Sequence, residues 1–303
     1  MPNSPASLTG VFAAAVTPLT PSLQPDLDSL PALLEHLAQR GCHGALLFGT
    51  TGEGPAFAIR ERVEFLREAA RFRDSVRPDF KILAGTGCAS LTDTVELTQL
   101  AFEAGVDGVV TLPPYYFKNV SARGLADYFE QVVQQAVPSD GRLFIYHFPQ
   151  VAGVPVPDET IAALRAKFPK QVVGMKDSQD DLPHTLATAR AFPDFAVFAG
   201  SDSILTEALV GGSAGCITAL ANVTSPLNRA VWDAHQRGNK DLAAQAKLTQ
   251  ARQLMKGLNG PAAMKMALTE LFGFPRWPVR APLEALTSEQ TQKLVNGLRE
   301  VLG

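Results

Sequence analysis

The chain has 303 residues, of which 46% are apolar, and its 27 basic and 30 acidic residues give a net charge of −3. This composition supports a large buried core, and the balanced charge argues against nucleic acid or an anionic membrane as a partner. The longest apolar stretches are only as long as strands, and MPNSPASLT at 1–9 lacks the basic and apolar regions of a signal peptide, so neither a membrane span nor a leader is predicted.

Short apolar runs alternate with amphipathic stretches along the chain. The runs predict strands at 10–17, 43–48, 81–84, 108–112, 143–148, 172–176, 195–199 and 215–220. Apolar residues spaced i, i+3, i+4 predict helices at 27–40, 59–73, 91–103, 124–137, 157–168, 182–192, 203–209 and 224–236, with Ser225-Pro226 opening the last of these. Three further helical stretches follow at 241–258, 261–272 and 288–301.

Eight strands, each followed by a helix, are typical of a (β/α)₈ or TIM barrel. An open, doubly wound sheet is the alternative, because alternation alone does not separate closed from open sheets. The number of units favours the barrel. The predicted organisation is a catalytic barrel at 1–238 and a C-terminal helical extension at 239–303.

Lys176 ends the apolar run Val172-Val173-Gly174-Met175 and is the most informative residue in the chain. A buried ammonium group is costly unless it is paired or loses its proton. A lysine that is neutral can form a Schiff base with a ketone. The simpler interpretation is a lysine at a solvated strand end that pairs with Asp177.

Two other strand ends carry groups that suit such chemistry. After the second run, GTTGEG at 49–54 places Thr50 and Thr51 between glycines, which could form an anion-binding turn for a small carboxylate or an ordinary strand–helix turn. On the fifth run, Tyr146 is either a proton relay or a core tyrosine. His147 alternates to the opposite face and is predicted to be packed and non-catalytic.

The fourth and seventh strand ends are less specific. PPYYFK at 113–118 suggests an interface, a lid or simple surface packing. Gly200-Ser201-Asp202-Ser203 could contact a polyhydroxylated ligand or cap the next helix. No metal site is predicted. The three cysteines (Cys42, Cys88 and Cys216) have no metal-binding spacing and suit a reducing compartment, so a cytoplasmic location is predicted.

The strand-end motifs together resemble the pyruvate-dependent class I aldolase family that includes dihydrodipicolinate synthase and N-acetylneuraminate lyase. The motifs are GTTGEG at 49–54, PYYFK at 114–118, YxxPxxxG at 146–153, GMKDS at 174–178, Gly200-Ser201-Asp202 and 215–222, and they cover nearly the whole chain. The resemblance implies a (β/α)₈ barrel with added C-terminal helices, acting on pyruvate without a cofactor.

The resemblance also implies a role for each matching residue. Lys176 would form the Schiff base, Tyr146 would shuttle the proton, and Thr50 and Thr51 would hold the carboxylate of pyruvate, with the backbone of Ile217 lining the site. Tyr116 would reach the site of a neighbouring subunit and complete a relay through Thr50. This implies a homotetramer built from tight dimers.

One position departs from the pattern of the dihydrodipicolinate synthases. They carry an arginine five residues after the tyrosine, where it receives a substrate carboxylate, and this chain has Val151. An aliphatic side chain cannot make that bidentate contact. The departure argues against aspartate semialdehyde as the second substrate.

Other motifs are similar to those of 2-keto-3-deoxygluconate aldolases, notably 174–182, Gly54-Pro55-Ala56 and Tyr116-Phe117. Ser178, Gly200, Ser201 and Asp202 are candidates to bind the hydroxyls of a sugar acid, and Lys118 is a weak candidate for a phosphate. The prediction is therefore a lyase that joins pyruvate to an aldehyde and splits a 2-keto-3-deoxy sugar acid. Alternatives are a dihydrodipicolinate synthase, an N-acetylneuraminate lyase, a 4-hydroxy-2-oxoglutarate aldolase, a sugar-acid dehydratase and a non-catalytic keto-acid sensor.

Overall fold

A computed structural model describes residues 8–303; residues 1–7, which hold most of the stretch used to argue against a signal peptide, lie outside the described residues. The strands are β1 (Gly10–Ala14), β2 (Gly44–Leu47), β3 (Lys81–Gly85), β4 (Gly108–Thr111), β5 (Leu143–His147), β6 (Val172–Asp177), β7 (Ala196–Ala199) and β8 (Gly215–Thr218). They pair in parallel, in chain order, and β1 closes onto β8. The predicted barrel is confirmed, and the open sheet is excluded.

Helices follow the strands on the outside of the barrel. They are α1 (Leu30–Gln39), α2 (Ile59–Val76), α3 (Leu91–Glu103), α4 (Ala122–Ala136), α5 (Pro149–Ala152), α6 (Asp158–Lys167), α7 (Leu182–Ala191), α8 (Leu205–Val210), α9 (Ala221–Gln236), α10 (Leu242–Leu254), α11 (Gly260–Phe272) and α12 (Ser288–Leu302). The four-residue α5 was not predicted, because one turn is too short to show an apolar period. None of the helices within 8–303 has both the length and the hydropathy to cross a bilayer.

The core has two layers, as strand alternation requires. Phe12, Phe144 and Phe198 fill the inside of the barrel, where Phe198 makes edge-to-face contacts with the other two rings at centroid distances of 5.6 and 5.7 Å. Tyr146 belongs to this inner cluster. The larger cluster lies between the outer faces of the strands and the helices. A residue's place in the alternation therefore decides whether it can reach the barrel interior.

The start of α9 differs from the prediction that Ser225-Pro226 opens this helix. The helix begins at Ala221, and Pro226 lies inside it. Proline has no N–H to donate to the carbonyl four residues earlier. That carbonyl, on Asn222, lies 3.3 Å from the Nε2 atom of His36, and the Val223 carbonyl accepts from Arg40. His36 of α1 thus replaces the helical partner that Pro226 removes, and Arg40, the residue after α1, contacts the next carbonyl.

The C-terminal helices pack against the barrel and are tied to it by an ion pair. Eight consecutive residues of α11, 261–268, are buried, including Lys265. The Nζ atom of Lys265 lies 2.5 Å from the Oε1 atom of Glu53, which follows β2. The boundary between 238 and 239 stays a prediction, but the last part of the chain contacts the β2 loop directly.

Candidate active site

Lys176 and Tyr146 lie side by side at the carboxyl ends of two neighbouring strands. Each is the last residue but one of its strand, and the two are paired in the β5–β6 register. Both side chains are 3% exposed. In a (β/α)₈ barrel this end of the strands is where reactive groups gather.

The hydroxyl of Tyr146 links the lysine to Thr50. The Nζ atom of Lys176 donates to it over 3.1 Å, and the same hydroxyl lies 3.2 Å from the Oγ1 atom of Thr50. The Nζ atom also lies 4.3 Å from the centre of the tyrosine ring. These three side chains form a continuous hydrogen-bonded chain along which a proton can move.

The alternative in which Lys176 pairs with Asp177 does not occur. Asp177 points to the other side of β6, where its carboxylate accepts from the Nδ1 atom of His184 over 2.9 Å and from the hydroxyl of Thr185 over 2.7 Å. Burial opposes ionisation of Asp177, but these hydrogen bonds outweigh it and hold its pKa below the usual value. Lys176 therefore donates to a tyrosine hydroxyl, and within residues 8–303 no carboxylate forms an ion pair with it.

The loop that carries Thr50 has a constrained backbone. Phe48 and Glu53 adopt left-handed conformations, with φ of 55° and 56°. A Cβ atom at Gly54 would lie 2.1 Å from the carbonyl oxygen of Phe48, so only glycine fits there. The turn brings Thr50 to Tyr146, and Thr51 beside it is 7% exposed.

Glu53 and Lys265 form a buried support for this loop, which the sequence did not predict. Besides its ion pair with Lys265, the carboxylate of Glu53 accepts from the backbone N–H of Arg280 over 2.9 Å. Lys265 also donates to the carbonyl of Pro278 over 2.6 Å. A lysine within the otherwise apolar stretch PAAMKMAL was the available signal, but its partner lies 212 residues away.

A cavity of about 480 Å³ opens beside these groups, and Thr50 and Tyr146 line it. Its wall also includes Val151 and, from the C-terminal part of the chain, Pro282 and Leu283. A cavity of this size can hold pyruvate together with a second small molecule.

Two of the residues predicted to bind sugar hydroxyls, Ser201 and Asp202, are buried away from the cavity. Asp202 is 1% exposed and accepts from Thr218 over 2.7 Å and from Asn228 over 2.8 Å. Burial raises its pKa, although both hydrogen bonds act to lower it. Ser201, also 1% exposed, is bonded to Ser203. Both residues are thus satisfied by neighbours inside the protein and do not line the cavity.

Three further predicted residues lie close to the reactive group. Ser178 and Gly200 are in contact, since a Cβ atom on Gly200 would fall 2.2 Å from the Ser178 hydroxyl. Ser178 is partly exposed. Ile217 on β8 is fully buried in the same interior cluster as Tyr146. Ser178 is the best placed of the predicted hydroxyl-binding residues, because it follows Lys176 by two residues.

Comparison with known proteins identifies the family and supports the fold. The model of the dihydrodipicolinate synthetase family matches residues 7–301. An uncharacterized DapA-like lyase from Chloroflexus aurantiacus is 40% identical over 94% of each chain, and a 4-hydroxy-tetrahydrodipicolinate synthase from Moorella thermoacetica is 31% identical over 96% of this chain and 97% of its own. The crystal structure of YagE, a prophage protein from E. coli K12 in complex with pyruvate, superposes with a TM-score of 0.91 at 27% identity, covering 98% and 99% of the two chains.

The chain belongs to the dihydrodipicolinate synthetase family. The family resemblance drawn from the strand-end motifs is confirmed, and so is the prediction of an enzyme of the lyase class. The roles of individual residues are not tested by these comparisons, and they stay predictions that rest on the geometry.

The two tyrosines of the family's PYY motif have different environments in this chain. Tyr115 lines the cavity, whereas Tyr116 is 75% exposed and contacts Phe117 edge-to-face. The single chain does not bring Tyr116 to Thr50. Lys118, the candidate for binding phosphate, donates to the carbonyls of Ala152, over 2.8 Å, and Tyr115, so two of its three N–H donors are already used within the chain.

A histidine–aspartate cluster lies on the outer side of β5 and β6. Within residues 8–303, His147, Asp177 and His184 are the one group of three potential metal ligands that approach within 4.8 Å of one another. His147 accepts from the Val156 N–H through Nδ1, so its Nε2 carries the proton and faces Gln179 at 2.7 Å. With both nitrogens occupied and its ring stacked on His184, His147 is packed here as a structural residue.

Proposed function

We propose that this protein is a class I aldolase in which Lys176 forms a Schiff base with pyruvate. The observation that carries the proposal is the chain of contacts from Lys176 through the Tyr146 hydroxyl to Thr50, with distances of 3.1 and 3.2 Å. A primary amine, an adjacent proton donor and a nearby hydroxyl are the groups that imine formation requires.

The proposed reaction balances without a cofactor. The neutral amine of Lys176 adds to C2 of pyruvate, and water leaves to give an iminium ion. Loss of a proton from the methyl carbon gives an enamine, whose carbon attacks an aldehyde while the aldehyde oxygen takes up a proton. Hydrolysis of the imine releases a 4-hydroxy-2-oxo acid and regenerates the lysine. Cleavage is the same sequence in reverse.

Tyr146 would move the proton during addition and loss of water. Its hydroxyl touches both the amine and Thr50, so it can give a proton to the leaving water and recover one through the threonine. Thr50 and Thr51 would hold the carboxylate of pyruvate at the turn after β2. The similar protein YagE was crystallised in complex with pyruvate, and this supports pyruvate as the first substrate.

The choice of aldehyde is the finer part of the proposal. Similarity of motifs favours a 2-keto-3-deoxy sugar acid such as 2-keto-3-deoxygluconate, with Ser178 as its nearest hydroxyl partner. Val151 disfavours aspartate semialdehyde, because none of the described residues that line the cavity carries a cationic side chain in place of the missing arginine. The Moorella relative is named a 4-hydroxy-tetrahydrodipicolinate synthase, which makes aspartate semialdehyde the competing candidate.

Assembly and location are proposed from the resemblance. We propose a homotetramer of tight dimers in which Tyr116 of one subunit approaches Thr50 of its partner. The exposed aromatic pair Tyr116 and Phe117 supports an interface at this loop. Sedimentation analysis of the wild-type protein and of Tyr116→Ala tests the assembly. A cytoplasmic location is part of the same proposal.

Exchange of the methyl protons of pyruvate in D₂O tests the proposed function without any choice of aldehyde. Enamine formation should replace these protons with deuterium, and NMR spectroscopy follows the loss of the methyl signal. We expect exchange with the wild-type protein and none with Lys176→Ala. A keto-acid sensor would bind pyruvate without exchange, and that result would reject the aldolase.

A further inference from the structure

The ends of β5 and β6 are joined by side chains on the outer face of the barrel, behind the reactive groups. His147 and Asp177 are paired in the register directly after Tyr146 and Lys176. Strand alternation turns them away from the barrel interior, and both are buried. Because each directly follows a reactive residue, a contact that fixes His147 or Asp177 also fixes the backbone that carries the reactive side chain.

Gln179 connects these two outer residues. Its side-chain Oε1 atom accepts from the Nε2 atom of His147 over 2.7 Å, and its backbone N–H donates to the Oδ1 atom of Asp177 over 3.1 Å. Its backbone carbonyl accepts from the side-chain amide of Gln150 over 2.7 Å, and Gln150 lies on α5, directly after β5. A single residue thus contacts the ends of both strands and the helical turn that follows the first of them.

The partners of Gln179 are held from their other sides as well. The Nδ1 atom of His147 accepts from the Val156 N–H over 3.2 Å, which leaves the proton on Nε2 for Gln179 to accept. The second carboxylate oxygen of Asp177 accepts from His184 on α7 over 2.9 Å. All of these contacts form within one chain, so they do not require a neighbouring subunit.

The contact between Lys176 and Tyr146 tolerates little movement of the strand ends. Its length is 3.1 Å, and such a hydrogen bond is lost beyond about 3.5 Å. A displacement of about 1 Å at a reacting group can lower a rate by about 10²-fold. At the end of β6 the Ser178 N–H donates to the His147 carbonyl over 2.8 Å. The side chain of Gln179 adds a second link across the same strand ends.

We propose that Gln179 is a positioning residue, which ties His147 to Asp177 and thereby holds the Nζ atom of Lys176 against the hydroxyl of Tyr146. The proposal rests on the proposed function, since it concerns the same reactive pair. The hydrogen bonds of Gln179 within the described residues do not extend to the turn at 49–54, which would hold the pyruvate carboxylate. Loss of its side chain should therefore slow the chemical steps without weakening pyruvate binding.

Gln179→Met tests this role, because methionine keeps the length of the side chain but lacks the amide oxygen that accepts from His147. Gln171→Met is the matched control. Gln171 directly precedes β6, at its opposite end, and its amide donates to the carbonyl of Val137 over 3.2 Å. Both variants are checked for folding by circular dichroism. Exchange of the methyl protons of pyruvate in D₂O, followed by NMR spectroscopy over a range of pyruvate concentrations, gives kcat and KM for each.

We expect kcat for exchange to fall by at least about tenfold in Gln179→Met while KM stays within about twofold of the wild-type value. Gln171→Met should leave both parameters unchanged. A purely structural role for Gln179 would lower Tm without changing kcat, and that result would overturn the proposal. An equal loss of kcat in Gln171→Met would overturn it too, because the effect would then belong to the strand as a whole.

The Tyr146→Phe background tests whether the effect passes through the tyrosine hydroxyl. Once the hydroxyl is absent there is no contact left to position, so adding Gln179→Met should lower kcat by less than about twofold further. A further tenfold loss would contradict the proposal. Exchange by the wild-type protein with an unchanged kcat in Gln179→Met rejects the inference alone. Absence of exchange in the wild-type protein rejects the proposed function and the inference with it.

Discussion

The two sides of the cavity are built differently. On one side, Thr50 and Tyr146 line the cavity, and the Tyr146 hydroxyl connects Thr50 to Lys176 through contacts of 3.2 and 3.1 Å. On the other side, Val151 and Leu283 offer apolar surface from a single helical turn and a C-terminal loop. In the proposed function the reactive groups therefore stand on buried strand ends, whereas Val151 and Leu283 stand on segments outside the barrel strands.

The largest effect is expected at the reactive amine. Lys176→Ala removes the group that forms the imine, so turnover should fall by at least about three orders of magnitude while the fold is retained. Lys167→Ala, at a surface lysine paired with Glu130, is the control and should keep full activity. Steady-state kinetics with circular dichroism checks both variants. Substantial activity in a folded Lys176→Ala protein would contradict the proposed role of Lys176.

The tyrosine hydroxyl should have the next largest effect. Tyr146→Phe keeps the ring but removes the link between Lys176 and Thr50, and we expect kcat to fall by about 10²–10⁴-fold. Tyr128→Phe is a close control, because it also removes a buried hydroxyl bonded to a threonine, Thr94 at 2.8 Å, but outside the cavity. That control should lower stability by about 1 kcal/mol and leave kcat unchanged. Similar losses of kcat in both variants would point to a general packing effect.

Breaking the Lys265–Glu53 ion pair beneath the Thr50 loop should lower the stability of the protein and weaken pyruvate binding. Lys265→Met leaves the fully buried carboxylate of Glu53 without its cation, which should cost about 3–5 kcal/mol and raise the KM for pyruvate. The double variant Glu53→Gln/Lys265→Met should recover much of the stability, because no unpaired charge remains. Denaturant unfolding and pyruvate titrations measure both effects. A double variant no more stable than Lys265→Met would show that the charge is unimportant.

The smallest effect is expected at the Asp177–His184 pair behind Lys176. Its hydrogen bond to Asp177 raises the pKa of His184 above 6.5, so the stability from this group is present below pH 6.5 and is lost as pH rises through the raised pKa. The lowered pKa of Asp177 gives stability that is present above pH 3.8 and is lost as pH falls through that lowered pKa. The pair is therefore strongest between about pH 4 and 6.5.

Thermal unfolding at two pH values tests this assignment. His184→Gln should lower Tm more at pH 5.5 than at pH 8.5. His43→Gln is the control: burial lowers the pKa of His43, and this histidine has no ion pair in the described part of the chain, so its replacement should not lower Tm more at pH 5.5 than at pH 8.5. An equal loss of Tm at both pH values would mean that packing against His147, rather than charge, accounts for the contribution of His184.

Local patterns predicted the polar side of the cavity far better than the rest. Lys176 and Tyr146 stand at the ends of continuous apolar runs, and the alternation of a strand decides which way they face. The partners of Asp202 and Glu53 could not be predicted in this way. Asn228 lies 26 residues from Asp202, and Lys265 lies 212 residues from Glu53. Only the closed barrel and its C-terminal helices bring these groups together.

The apolar side of the cavity could not be predicted from the sequence for a related reason. Its residues are separated in sequence, and Val151 was noted only because an arginine was missing there. Pro282 and Leu283 lie in a loop with no periodic pattern, so nothing marked them as cavity residues before the fold was known. Pro226 shows the same limit, since the carbonyls it leaves near the start of α9 are contacted by His36 of α1 and by Arg40, the residue after α1.

Borohydride reduction in the presence of pyruvate shows directly whether Lys176 forms an imine. Reduction of an imine fixes the pyruvate carbons to the lysine as a stable secondary amine, and peptide mass spectrometry locates the modified residue. We expect one modified residue, Lys176, and no modification in Lys176→Ala. A protein that turns over pyruvate but is unmodified at Lys176, or modified at another lysine, would contradict the proposed role of Lys176.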